Sequence, residues 1–281
     1  MSLRLLVVAS ETPKQRDARR KSVGQSSDET YADTLRALDP SCDVELVSCV
    51  DGDKGFSLDE LAGFSGIIFA GSPIQMQEKT SETRSAAAFM REVFEAGTPS
   101  FGSCAGLQIA TVAAGGTCKA RDDGMQAGFS RGIVATPEGR THPMLNGRPL
   151  SWTAPAIHSS VVDRLPPSAT VLARTNDTPV EALEIRSGSG VFWGVQYHPE
   201  IAIGEIAASL RRQSDELVEE GLAADPGAVD AYSRVLETLD ADPERRDLAW
   251  QIGLDDEVLA VEKRTRELRN FLSYLHERAV A

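Results

Sequence analysis

The stretch Phe101-Gly102-Ser103-Cys104-Ala105-Gly106-Leu107-Gln108 joins an apolar run that starts at Pro99 to a helical pattern closed by Gly115-Gly116. A buried strand that passes into a helix through a cysteine flanked by small residues has the makings of a nucleophile elbow. Gly102 and Gly106 allow the tight turn and let helix and strand approach, so the reactive atom projects from the strand's end. A thiol there feels the positive end of the helix dipole, which favours the thiolate. The backbone N–H of Ala105 is placed to donate to an oxyanion formed beside Cys104. Read alone, the segment is equally a buried structural cysteine in a glycine-rich turn.

Upstream, short β-rich runs alternate with helical patterns. Strands are predicted at 3–9, 42–50, 66–70 and 99–103, and helices at 28–38, 81–96 and 104–114. That alternation predicts an α/β fold, a mostly parallel sheet flanked by helices. From Thr117 to Tyr197 the texture changes to strands and turns, with strands predicted at 132–136, 156–162, 170–174, 181–186 and 191–197. Beyond Glu200 the pattern is all-helical, so two parts are expected, residues 1–202 and a C-terminal helical extension over 203–281. In the extension Leu254, Val258, Val261, Thr265, Leu268, Leu272 and Leu275 recur at alternating spacings of four and three. This stripe is expected to pack on the other tail helices, with pairing to a second copy of the chain as the alternative.

Composition narrows the classes. The 281 residues carry a formal charge of −13, which argues against a nucleic-acid coat. The acidity is uneven, with eighteen acidic against ten basic residues from Glu205 onward. The single basic cluster, Lys14 to Lys21, reads as a solvated loop, or else as a site for an anionic substrate or partner. No run is apolar enough to span a membrane or to serve as a signal peptide. Cys42, Cys49, Cys104 and Cys118 show no CxxC spacing and no metal pattern with the histidines, so no cofactor or metal is called for and a reduced, cytoplasmic protein is the economical reading. Cys42, Cys49 and Cys118 read as small core residues, His142 as a loop residue and His276 as solvent-facing.

A thiolate nucleophile needs a base, and ninety-four positions after Cys104 comes His198, within Gly194-Val195-Gln196-Tyr197-His198-Pro199-Glu200. A strand ends at His198, and the carboxylate of Glu200 two residues on can hold the imidazole in one tautomer. The pair Gly102-x-Cys104-x-Gly106-x-Gln108 and Gly194-Val195-Gln196-Tyr197-His198-Pro199-Glu200 resembles the class I (triad) glutamine amidotransferase family, over roughly residues 3–202. The chain looks like a stand-alone domain similar to the amidotransferase part of GMP synthase.

That resemblance implies Cys104 as nucleophile on the side-chain amide of L-glutamine, His198 as base and then acid, and Glu200 as the group orienting it. It implies a glutamyl thioester, with release of ammonia and then glutamate, and Gln108 and His158 in contact with substrate. The family's oxyanion loop, usually Gly-Gly-Pro, reads Gly71-Ser72-Pro73 here, so Gly71, Ser72 and Ala105 are the oxyanion candidates. No phosphate-cradling loop is present, so an ammonia-accepting synthetase would act in trans. The helical extension is where partner docking or a homodimer is expected. Two other readings keep the same residues: a γ-glutamyl amide or peptide hydrolase with the same triad, and a non-catalytic regulatory subunit.

Overall fold

The computed structural model describes residues 2–52 and 55–280. Four strands, β1 (Arg4–Ala9), β2 (Asp43–Ser48), β3 (Gly66–Phe69) and β4 (Ser100–Ser103), lie where the apolar runs predict them. Seven more follow: β5 (Thr117–Ala120), β6 (Gln126–Ala135), β7 (Ser151–His158), β8 (Ser160–Arg164), β9 (Ala169–Arg174), β10 (Ala182–Ser187) and β11 (Gly190–Val195). Nine of these form one sheet in the order β2-β1-β3-β4-β11-β10-β9-β6-β7, while β5 and β8 pair apart. The sheet is parallel from β2 through β11 and antiparallel from β11 outward. The single strand predicted over 156–162 is in fact the end of β7 and the start of β8, which pair with different partners.

Helix α1 (Pro13–Val23) corrects the loop reading of the basic cluster. Thr12 and Gln15 form a capping box, Pro13 occupies the first turn, and Gly24 closes the helix at φ 93°. These are helix signals, but α1 buries no residue, so no apolar stripe announces it. The expected helices 28–38, 81–96 and 104–114 appear as α2 (Ser27–Leu38), α4 (Ser81–Ala96) and α5 (Ala105–Ala113), with the short α3 (Leu58–Ala62) between.

Beyond residue 202 come α6 (Ile203–Arg212), α7 (Ser214–Glu219), α8 (Pro226–Ala241), α9 (Arg246–Ile252), α10 (Asp256–Leu259), α11 (Val261–Arg264) and α12 (Arg266–Val280). The stripe from Leu254 to Leu275 is therefore interrupted, and its two ends do different work. Leu254 and Val258 join Ile206, Leu210, Leu236 and Leu239 in a core among the tail helices and β6. Leu268, Phe271, Leu272 and Leu275 instead cover the sheet, sharing a core with Leu3, Tyr31, Phe101 and Trp193. Phe271 stacks 5.6 Å from Phe101 and 5.8 Å from Trp193, and a Cβ on Gly66 would strike Leu275 at 2.6 Å. Each such apolar side chain contributes about 1.5–3 kcal/mol on burial. A dimer through this extension would have to use residues other than these.

A polar clasp fixes α12 to the sheet. Arg148, almost fully buried, donates to both carboxylate oxygens of Glu267 at 2.7 Å and to Glu257 at 2.7 Å. The hydroxyl of Tyr197 donates to Glu267 at 2.8 Å. Without Glu267, Arg148 would keep only Glu257 and the Tyr197 hydroxyl would lose its acceptor, at a cost approaching that of an uncompensated buried charge, about 3–5 kcal/mol. Glu267→Leu should therefore lower urea-unfolding stability on that scale, and the double variant Glu267→Leu with Arg148→Met should recover most of the loss.

Candidate active site

The sheet's register brings the two motifs together. Strands β4 and β11 are adjacent and parallel, with Ser103 opposite Val195. Cys104 leaves the end of one and His198 follows the end of the other, at the same edge of the sheet. Phe69 pairs with Gly102 and Val8 with Phe69, so Gly71 and Ser10 emerge at that edge too. Side chains at the carboxyl ends of parallel strands converge this way on one crevice.

Cys104 has φ 50° and ψ −106°, the one non-glycine residue with positive φ among those described. The turn is held by the Cys104 N–H donating to the Val195 carbonyl at 2.8 Å and by close packing beneath it. A Cβ on Gly102 would lie 2.9 Å from the Gly106 backbone, and one on Gly106 would lie 2.5 Å from the Phe69 carbonyl oxygen. Real side chains do not tolerate such separations, so both positions require glycine.

His198 Nδ1 lies 2.8 Å from Glu200 Oε1, which also accepts from Ser103 Oγ at 3.0 Å. The carboxylate can only accept, so Nδ1 carries a proton and Nε2 is left for Cys104. Burial opposes charge on His198, but the Glu200 carboxylate and the adjacent Cys104 outweigh it and raise the pKa to about 10. Behind Glu200, burial and then that carboxylate's charge push the Tyr31 phenol well above its usual value. His198 and Glu200 are thus a buried, hydrogen-bonded pair beside Cys104, whose Sγ lies 3.8 Å from the Ile157 carbonyl oxygen.

The sequence placed Gly71, Ser72 and Ala105 around this centre, and the coordinates bring them there. A Cβ on Gly71 would stand 2.6 Å from His198 Cε1 and 3.6 Å from Cys104 Cβ, so glycine is required by proximity rather than by φ. Ser72 does not adopt the left-handed conformation, which is why a serine fits here. Its Oγ accepts from Ser10 Oγ at 2.7 Å and from the Ile74 N–H at 3.3 Å, bracing the turn. Ala105 opens α5, where first-turn N–H groups have no helical acceptor.

Gln108 is buried and its amide is spent on structure: Nε2 donates to the Ser160 carbonyl at 2.9 Å and to Gln196 Oε1 at 3.2 Å, while Oε1 accepts from Ser160 Oγ at 2.8 Å. His158 Nδ1 meets the Ser160 carbonyl at 3.1 Å and so carries the proton, which leaves Nε2 as a buried acceptor without a partner. Burial, the charge of Arg121 and that of His198 lower its pKa to about 3, so it is neutral. His142 pairs with Glu184 at 3.1 Å and His276 with Asp39 at 2.9 Å, both away from the site. Cys49 and Cys118 are buried, and burial pushes both thiols up to about 12. Cys42 is half-buried against the sheet core.

A cavity of about 370 Å³ opens over Cys104. One wall is Gly71 to Gln75 with Gln108 and His158 to Ser160, closed by Gln75 Nε2 donating to Ser159 Oγ at 3.2 Å. The other wall contains Glu11, Gln15 and Arg19 from the β1–α1 region and Arg212 and Gln213 at the end of α6. Sequence reasoning missed this second wall. Its one signal was the basic cluster at Lys14 to Lys21. Within that cluster Arg16 pairs with Asp51, Arg19 with Glu205 and Arg20 with Glu29. Among the described residues no group of His, Cys, Asp and Glu gathers as a metal site, and no helix is long and apolar enough to cross a membrane.

Comparison with known proteins bears on the family and the fold. A γ-glutamyl-L-1-hydroxyisopropylamide hydrolase of Pseudomonas sp. is 33% identical over 78% of this chain and 75% of its own. The glutamine-hydrolysing GMP synthase of Leifsonia xyli is 30% identical over 50% of this chain, which spans only 27% of that longer protein. In fold, the chain superposes on a glutamine amidotransferase from Thermotoga maritima with a TM-score of 0.65 at 16% identity, covering 99% of both chains. A glutamine amidotransferase from Methylobacillus flagellatus gives 0.63 at 15% identity, covering 97% of this chain and 95% of that one. The family model for glutamine amidotransferase class-I matches residues 23–214, and the chain belongs to that family.

Proposed function

We propose that the protein hydrolyses the side-chain amide of glutamine through a thioester on Cys104, with His198 and Glu200 completing the triad. The observation that carries this reading is the buried Glu200–His198 pair at 2.8 Å set against a cysteine at the head of α5. The Cys104 thiolate attacks the γ-carbonyl carbon, forming the C–S bond. The oxygen's charge falls on the backbone N–H groups of Ala105 and of the Gly71-Ser72 turn. His198 Nε2 gives its proton to the leaving nitrogen as the C–N bond breaks and ammonia departs. Water then attacks the thioester carbon and gives its proton to His198. The C–S bond breaks, and glutamate leaves. Glu200 keeps the imidazole in the productive tautomer throughout. Gln108 holds the Ser160 turn, and the bare Nε2 of His158 accepts from a substrate N–H. In this reading the ammonia passes to a synthetase acting in trans.

A second reading keeps every residue in its role and changes the leaving group. The cavity continues beyond Cys104 along α1 and α6, leaving room for a substituent on the nitrogen. The Pseudomonas relative is named for cleaving such a γ-glutamyl amide. Hydrolysis of L-glutamine and of γ-glutamylethylamide, followed side by side, separates the two. Faster release of ammonia supports the first reading and faster release of ethylamine supports the second.

The thioester itself is testable. With hydroxylamine present, the native protein should yield γ-glutamyl hydroxamate and Cys104→Ala should yield none, while His198→Asn should cut kcat/KM by about 10²–10⁴-fold. Hydroxamate formed without Cys104 would overturn the mechanism.

The raised pKa of His198 has a pH signature. Its proton stabilises the fold fully below the unfolded value of about 6.5, and this contribution is lost as pH climbs toward about 10. Glu200→Gln removes the main group holding that proton, so the alkaline limb of kcat/KM should move to lower pH. A limb that stays in place would mean that Glu200 does not set the charge on His198.

A further inference from the structure

The steps above leave the guanidiniums on the second wall of the cavity unused. Arg19, on α1, has an 11% exposed side chain; its Nη2 pairs with Glu205 at 2.7 Å, while its buried Nε has no hydrogen-bond partner. Arg212, at the end of α6, stands at the cavity mouth, where its Nη1 donates to Ser22 Oγ at 2.9 Å. Among the described residues no carboxylate lies within ion-pair distance of Arg212. Arg212 is exposed at the rim; its bond to Ser22 ties it to α1, which carries Arg19, and both guanidiniums line the same cavity. Of the nearby carboxylates, Glu205 holds Arg19 and Thr30 and Glu11 accepts the N–H and Oγ of Ser27 at the start of α2, while Glu216, one turn beyond Arg212, lines the cavity as well. Two like charges at one opening are stabilised by an anion placed between them, and a planar fork suits a carboxylate best.

The chemistry fixes which half of a substrate reaches them. The leaving nitrogen takes its proton from His198, so its substituent lies on the His198–Glu200 side. From there the chain runs through Ile201 into α6, which carries Arg212, and α1 with Arg19 packs on α6 through the Arg19–Glu205 pair. The glutamyl half lies against the opposite wall, beside Gln108 and His158.

We propose that Arg19 and Arg212 form a subsite for a carboxylate on the leaving amine, which makes γ-glutamyl derivatives of amino acids better substrates than those of neutral amines. This rests on the second reading above. The test compares γ-glutamylglycine with γ-glutamylglycinamide, which differ chiefly in that charge. The native protein should favour the glycine conjugate in kcat/KM by about tenfold or more, the scale of one charge-assisted hydrogen bond. Arg212→Gln should erase most of that preference through KM, and Arg19→Gln should act in the same direction. A ratio near one in the native protein, a ratio unchanged in Arg212→Gln, or an equal loss on both substrates would overturn the subsite. Calorimetric binding of both conjugates to Cys104→Ala, with and without Arg212→Gln, reads the subsite without turnover. Charge-dependent binding without hydrolysis by the native protein would defeat the proposed function and leave the subsite standing. Hydrolysis without discrimination would defeat the subsite alone.

Discussion

Holding a cysteine at φ 50° is the constraint around which the rest is arranged. A non-glycine residue there costs on the order of 1–3 kcal/mol and persists only where its surroundings over-determine it. Here the Val195 carbonyl holds the Cys104 N–H, α5 begins at once, and Gly102 and Gly106 let helix and strand close beneath the turn. The hydrogen bond to Val195 also joins β4 to β11, so what stabilises the backbone of Cys104 is the same pairing that delivers His198. Strain at Cys104 and proximity to His198 are one structural fact.

Burial has opposite effects on the two histidines near this centre. His198 is buried beside the Glu200 carboxylate and Cys104, which together overcome desolvation and keep the ring protonated. His158 is buried beside cations, Arg121 and His198 itself, and becomes neutral. One histidine is thereby able to donate a proton and the other to accept a hydrogen bond. The difference lies in which charges face each ring rather than in how deeply it is buried.

Much of this was legible in the sequence, for identifiable reasons. The apolar runs at 3–9, 66–70 and 99–103 are strands buried on both faces, whose composition alone marks them. The residues gathered at the site also come from local motifs, because an elbow and a strand-end histidine need particular small residues around them. What local pattern does not contain is the partner of each face. Alternating spacings of four and three describe a helical stripe equally well whether it meets another helix or a sheet, so the placement of Leu268, Leu272 and Leu275 over Phe101 and Trp193 was not readable. Helix α1 escaped because it rests on a capping box and ion pairs, with no buried side chain to set a period.

The change of texture at residue 202 is consequently a change in composition and not a break in packing. Helix α12 supplies the cover for one face of the parallel half of the sheet, and Glu267 on it holds the hydroxyl of Tyr197, the residue before His198. Helix α6, at the other end of the extension, supplies a wall of the cavity over Cys104. The acidic segment is therefore tied to the Cys104–His198 centre at two places, once through the sheet that carries His198 and once through the cavity over Cys104. A chain whose excess negative charge sits in this extension nonetheless presents Arg212 unpaired at the cavity mouth, while many of the extension's other arginines, including Arg211, Arg234 and Arg245, are matched to carboxylates. Among the described residues Arg264, Arg266, Arg269 and Arg278 likewise have no carboxylate partner, but of these five guanidiniums Arg212 is the one that lines the cavity over Cys104.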